Sequence, residues 1–224
     1  MSNAEDASFL QRFFKTGEGE YGAGDRFRGI RVPVLRSLVR KHPDVTYDDV
    51  MDLLSSAYHE DRLLSTMMLV RLYEKGDTAT RKKIYESYLA NTSQINNWDI
   101  VDGSAPQIVG AYLTDRSRAP LRRLARSKSL WERRIAILAT FRFIRQSDFK
   151  DSLAIAEILL KDPQDLIHKA VGWMLREIGS RDPRVEREFL LKHHQNMPRT
   201  MLRYAIEKFP EPERQRYLRG TAKP

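Results

Sequence analysis

The sequence predicts an all-α protein built from repeated helix pairs, and three observations carry that prediction. Apolar residues recur with helical period along almost the whole chain. No stretch alternates convincingly as a strand would. Helices in the second half resemble one another at a nearly fixed spacing. At 224 residues the chain is long enough to bury a sizeable core as one domain.

The elements follow in order. Ser2-Asn3-Ala4 looks like the remnant of a cleaved tag, and residues 1–8 are expected to form a disordered tail. Residues 9–220 are expected to form a single domain and 221–224 a C-terminal tail. Val34, Leu35, Leu38 and Val39 form the first apolar stripe, with Pro33 suited to a helix start. Leu63, Leu64, Met67, Met68, Val70 and Leu72 mark a more buried helix, and Ile84, Tyr85, Tyr88 and Leu89 the next. Ile100, Val101, Ala105, Ile108 and Val109 form a further stripe. Later stripes are Ile135, Leu138, Ala139 and Phe141; Ile155, Ile158 and Leu159; Ile167, Val171, Met174 and Leu175; and Leu202, Ala205, Ile206 and Phe209. Breakers between them are short: Gly76-Asp77, Ser127-Lys128-Ser129, Lys161-Asp162-Pro163 and Arg181-Asp182-Pro183.

The repeat is visible in ERRIAILATF (132–141), LIHKAVGWML (166–175) and TMLRYAIEKF (200–209). Aligning Arg134, Lys169 and Arg203 gives steps of 35 and 34 residues. EDRLLSTMML (60–69) is a more distant copy. Such a period suits a HEAT-like helical-repeat solenoid, an α-α superhelix with a concave face. The aligned basic residues are then expected to line that face, as a footprint for a duplex. Solvated charges at helix starts are the alternative origin of the same pattern.

Composition narrows the chemistry. Lys and Arg number 39 against 30 Asp and Glu, a formal net charge of +9, which points to a polyanionic partner, nucleic acid first and an acidic membrane surface second. There is no cysteine, which excludes disulfides, thiolate metal sites and Cys nucleophiles and fits a reducing compartment. The five histidines form no ligand pair, and adjacent His193 and His194 point to different helix faces, so no metal site is expected. No signal peptide and no membrane-length apolar run is seen. The glycines from Gly17 to Gly24 lack the setting and spacing of a phosphate loop.

Three places stand out. In NWDIVD (97–102), Asn96 or Asn97 can cap a helix, and Asp99 in the first turn is explained by the helix dipole. Asp102 comes four residues after Trp98, so the two share a face beside the core stripe. A Trp at the core edge with Asp102 paired to an Arg is the commoner origin of such a pair. Arg133-Arg134 follows Trp131 on a helix whose core residues are Ile135, Leu138 and Ala139, which places Arg134 at a face boundary. Lys169, Trp173 and Arg176 form a cation–aromatic–cation stripe suited to a phosphate backbone with a base nearby. Gly172 inside that helix serves either close helix packing or close approach of a ligand.

At these residues the sequence resembles the DNA alkylation repair glycosylases of the AlkC/AlkD type, and the AlkD branch in particular. GEGEYGAGDRFRGIRVP (17–33) resembles a common family opening, and NWDIVD its Trp-Asp-x-Val-Asp signature. LWERRIAIL (130–138) resembles its Arg-bearing helix, and IHKAVGWMLRE (167–177) its second-Trp helix. The resemblance implies a catalytic carboxylate at Asp102, active-site tryptophans at Trp98 and Trp173, and a DNA-contacting arginine at Arg134. Arg133, Lys169, Arg176 and Arg203 are expected to hold phosphates. It further implies a monomeric, cytoplasmic enzyme, nucleoid-associated when bound to DNA. Its partner would be double-stranded DNA carrying alkylated purines, with no cofactor and no membrane. The implied reaction is monofunctional hydrolysis of the N-glycosidic bond of cationic N3- or N7-alkylated purines in base excision repair, without a lyase step. The competing expectations are a non-catalytic HEAT-repeat protein that binds branched or damaged DNA, and a protein-interaction scaffold.

Overall fold

The computed structural model describes residues 2–223. The chain divides into two compact units, Met1–Ser104 and Ala105–Pro224. Helices are the regular elements of the described residues, with no β-strand among them and an isolated parallel bridge between Arg26 and Tyr58. The all-α class expected from periodicity is thus found. The expectations for Met1 and Pro224 fall outside the described residues.

The first unit contains α1 (Ala4–Phe13), α2 (Val32–Lys41), α3 (Tyr47–Leu54), α4 (His59–Lys75), α5 (Thr78–Ala90) and α6 (Trp98–Asp102). The tail expected over residues 1–8 is corrected by α1, which is helical from Ala4 because Asn3 Oδ1 accepts from the backbone N–H groups of Glu5 and Asp6. α3 starts on a capping box in which the Thr46 hydroxyl accepts from Asp49 N–H while Asp49 accepts from Thr46 N–H. α4 is the hub, in contact with α2, α3, α5 and α6. Its buried residues go almost all round the helix and include His59, Glu60, Arg62, Ser65 and Thr66 beside Leu63, Met68 and Leu69. The apolar pattern anticipated a buried helix here, but not its polar side.

Glu60 explains much of that polar side. It is 2% exposed. Its two carboxylate oxygens accept from the backbone N–H groups of Arg28, Gly29 and Ile30 at 2.8–3.1 Å. An extended segment has no ladder of its own, so a carboxylate from another element satisfies its donors. Arg26 C=O accepts from His59 N–H at 2.8 Å just upstream. Gly29 takes φ +77°, and a Cβ there would lie 2.0 Å from Asn3 C=O, so this position requires glycine twice over.

The second unit contains a π-helical turn (Pro106–Gly110), α7 (Ala119–Leu124), α8 (Leu130–Ala139), α9 (Phe141–Ile144), α10 (Lys150–Leu159), α11 (Asp165–Gly179), α12 (Pro183–His193), α13 (Arg199–Ala205) and α14 (Glu211–Leu218). The helices that look alike in sequence are neighbours here: α8 packs on α11, and α11 on α13. α10 and α12 pack against that row from between its members in sequence. Ile135, Leu138, Val171, Met174, Leu175, Leu202 and Ala205 are buried together with Ile155 and Leu159. All four expected breakers fall at helix boundaries, and three of them supply caps through Asp77, Ser129 and Asp182.

The stripe from Ile100 to Val109 is not one helix. α6 stops at Asp102, and the next turn is π-helical from Pro106. Pro106 has no N–H to continue an α ladder, so the pattern of burial persists while the hydrogen bonding changes. Gly172 packs tightly: a Cβ there would lie 2.5 Å from both Met201 C=O and Tyr204 Cβ, so helix packing is what it serves. Gly172→Ala is therefore expected to destabilise the protein. The clash costs about 1–3 kcal/mol, partly offset by about 1 kcal/mol of helix propensity. A urea midpoint unchanged or raised would contradict the packing.

Candidate active site

The first unit presents Trp98 and Asp102 on α6. Asn97 starts this helix: its Oδ1 accepts from Trp98 N–H at 2.8 Å, while its Nδ2 donates to Asp25. Ile100 and Val101 are fully buried and anchor the helix, leaving Trp98 and Asp102 half-buried. Behind them Ser104 Oγ donates to Ile100 C=O, and Tyr88 hydroxyl lies 2.8 Å from Ser104 Oγ. Burial, with a smaller contribution from the negative charge of Asp102, raises the pKa of Tyr88 above its ordinary range. Tyr88 is thus a neutral, fixed floor beside the carboxylate.

Asp99 does more than serve the helix dipole. Its Oδ1 accepts from Ile100 N–H and its Oδ2 lies 2.9 Å from Nε2 of His59. His59 is 1% exposed. Its Nδ1 lies 3.3 Å from Oδ2 of Asp25. Asp25 is itself held by Arg62 Nη2 and Asn97 Nδ2. Both ring nitrogens therefore face carboxylate oxygens, which only accept, so both carry protons and the ring is an imidazolium. Its pKa is raised to about 9: the bonds to Asp25 and Asp99 outweigh burial, the largest single influence, which acts in the opposite direction. Asp25 stays below the usual carboxylate range, its bonds to His59, Arg62 and Asn97 overcoming its own burial.

Aromatic rings connect this cluster to Trp98. Phe14 lies against both His59 and Trp98, with centroids 4.7 and 5.3 Å away, and Phe27 stacks on His59 at 4.7 Å. Phe13, which is half exposed, meets Trp98 edge-on. Sequence reasoning missed His59, Asp25 and the second role of Asp99. No local spacing relates them, since Asp25 and Asp99 stand 34 and 40 residues from His59.

The second unit presents Trp173 and Arg134. Trp173 is half-buried on α11, with Nε1 donating to Glu177 at 3.2 Å and its ring tilted on Phe141. Arg134 is not at an exposed boundary: it is 5% exposed and donates to Leu166 C=O at the start of α11. Arg133 is likewise occupied, by Asp162 and by the carbonyls of Ser127 and Lys128. The two arginines thus brace α8 against the loop and first turn of the next repeated helix. The expected row of aligned cations has three environments: Arg134 buried, Lys169 half-buried and paired with Asp165 at 2.8 Å, and Arg203 exposed. Arg176 is mostly covered and paired with Glu207.

No helix among the described residues is long and apolar enough to cross a membrane. Comparison with known proteins gives three findings. No curated protein matches the chain. Among solved structures, a predicted DNA alkylation repair enzyme from Enterococcus faecalis is similar, with a TM-score of 0.71 and 13% identity over 94% of this chain and 98% of that one; at that identity it speaks for the fold alone. The family model of the DNA alkylation repair enzymes matches residues 1–209. With nearly the whole chain matched, and the Trp-Asp helix held as described, the protein belongs to the DNA alkylation repair enzyme family.

Proposed function

We propose that the protein is a monofunctional DNA glycosylase that hydrolyses the N-glycosidic bond of cationic N3- or N7-alkylated purines in duplex DNA. The observation that carries this reading is a carboxylate and a tryptophan one helical turn apart on α6, set without full burial in a chain of charge +9. A negative charge repels phosphate, so its presence in a DNA-binding protein asks for a cationic target. Alkylated purines supply one.

The lesion base already carries a positive charge and leaves readily. The bond from C1′ to the base nitrogen breaks, and its electron pair neutralises the base. Positive charge then develops on the deoxyribose, and Asp102 stabilises it electrostatically. Water adds to C1′ and gives up a proton, with Asp102 placed to orient the water and receive that proton. Trp98 would favour the charged lesion through its ring face by about 0.5–2 kcal/mol. Lys169 and the exposed Arg203 are the phosphate contacts of this reading. Arg133, Arg134 and Arg176 already have protein acceptors and would serve DNA only by exchanging one for a phosphate. No lysine is assigned as a Schiff-base nucleophile, so the product is an intact abasic strand. The protein would act as a monomer, in the cytoplasm where it meets chromosomal DNA.

The test is to incubate the protein with methylated duplex DNA and quantify free N7-methylguanine and N3-methyladenine. Release with unbroken strands supports the reading. Firm DNA binding without release would transfer the protein to the non-catalytic binders of branched or damaged DNA.

A further inference from the structure

The cluster under α6 has more charge and more order than a helix cap needs. His59 comes from the start of α4, Asp25 from the segment after α1, and Asp99 and Asn97 from α6 and its cap. The groups facing the ring are these two carboxylates, the rings of Phe14 and Phe27, and Arg62 through Asp25. The remaining charges nearby are already engaged, Glu60 by the backbone of 28–30 and Asp61 by Arg28. The cluster is charge-balanced, with two carboxylates against an imidazolium and a guanidinium. Removing one proton from it leaves a carboxylate uncompensated in a buried place.

We propose that His59 is a positioning residue for the reaction, a buried imidazolium that joins Asp25 to Asp99 and so sets where Trp98 and Asp102 stand. This rests on the glycosylase reading only for its kinetic consequence; the latch itself is a property of the free protein. Two routes link ring to site. Asp99 lies between Trp98 and Asp102 on the same short helix, and Phe14 touches both His59 and Trp98. Loss of the proton would free Asp99 and release the helix from below. A displacement of that kind is expensive for chemistry, because catalytic groups act only within a narrow range of geometry.

The sign of the pH effect follows. An unfolded histidine titrates near 6.5, whereas the folded ring holds its proton up to about 9. The stability contributed by the His59 proton is therefore complete below about 6.5 and is lost as pH rises past about 9. His59 makes the cluster sensitive to alkali, whereas acid acts on it through Asp25, whose contribution is lost as pH falls through its lowered folded value.

The experiment has three arms. In the first, the His59 ring is followed by nitrogen NMR in the wild-type protein without DNA, where two ring N–H groups at neutral pH and loss of a proton near pH 9 are expected. In the second, Trp98 emission is titrated in a Trp131→Phe, Trp173→Phe background, where an alkaline transition is expected that disappears with His59→Gln. In the third, His59→Gln and Asp99→Asn are assayed for base release. Each should lower kcat about tenfold with KM nearly unchanged and remove the alkaline limb of the rate profile; a partly unfolded sample would also lower kcat but would keep that limb. A ring that titrates near 6.5 overturns the proposal, as does a His59→Gln protein whose Trp98 emission and pH response match the wild type. If His59→Gln does not fold, the wild-type ring and Trp98 titrations still decide, since the proposal requires them to share a midpoint. If the wild type releases no base, the glycosylase reading falls while these two arms still test the latch.

Discussion

Asp102→Asn is expected to lower the rate of base release about a thousandfold, the loss typical of removing a transition-state charge stabiliser or general base. The change keeps shape and removes charge. Asp102 is the last residue of α6 and only half-buried, so little packing is lost. Helix ends make the contrast with Asp99 instructive. A carboxylate in the first turn is favoured by the exposed N–H groups, whereas one in the last turn faces carbonyls and is disfavoured by about 0.3–1 kcal/mol. The dipole that accounts for Asp99 therefore does not account for Asp102. Thermal stability of Asp102→Asn should stay close to that of the wild type, and DNA affinity should be equal or tighter, because a charge that repels phosphate is gone. Base release by the variant at the wild-type rate would remove Asp102 from the mechanism. A large fall in melting temperature would reassign it to structure.

Glu60→Ala is expected to be the most damaging substitution for stability, at about 3–5 kcal/mol, because it leaves buried backbone donors without an acceptor. Three N–H groups, those of Arg28, Gly29 and Ile30, converge on this carboxylate. Glu60→Gln keeps one acceptor oxygen and should cost about 1–3 kcal/mol, the penalty of a partly satisfied site. Urea unfolding of both variants, followed by helix content, checks the ranking. Equal stability of Glu60→Ala and wild type would mean that water replaces the carboxylate and that the segment over 28–30 is not held by it. The same substitution should disturb His59, whose own N–H is bonded to Arg26 in the same segment.

Much of the helical architecture was readable in advance for a local reason. Pro33, Asp77, Ser129 and Pro183 act on the turn in which they stand, so helix starts near them are visible without knowledge of the fold. The repeat was readable because the packing neighbours α8, α11 and α13 each bury apolar residues at helical spacing. The Trp98–Asp102 pair was readable because a spacing of four on a helix is a statement about one turn. Arg134 shows the limit. Its place in the repeat aligns it with Lys169 and Arg203, yet it is buried while Arg203 is exposed. The difference lies in what stands opposite. Leu166 C=O, in the first turn of the next repeated helix, accepts from Arg134.

The sequence by itself determined the apolar stripes of α2, α4, α5, α8, α10, α11 and α13, their order, the short breaks among them and the shared face of Trp98 and Asp102, all set by interactions within a few residues. Only the tertiary structure decided which charges lie inside. His59, Glu60 and Arg62 stand in a row that reads as a solvated helix start, and all three are buried. Burying a charge is unfavourable unless partners meet it, and here the partners come from 30–40 residues away: Arg28 to Ile30 for Glu60, Asp25 and Asp99 for His59, Asp25 and Asn96 for Arg62. No local pattern encodes such a meeting. It exists only once the segment after α1, the start of α4 and the short helix α6 are packed together.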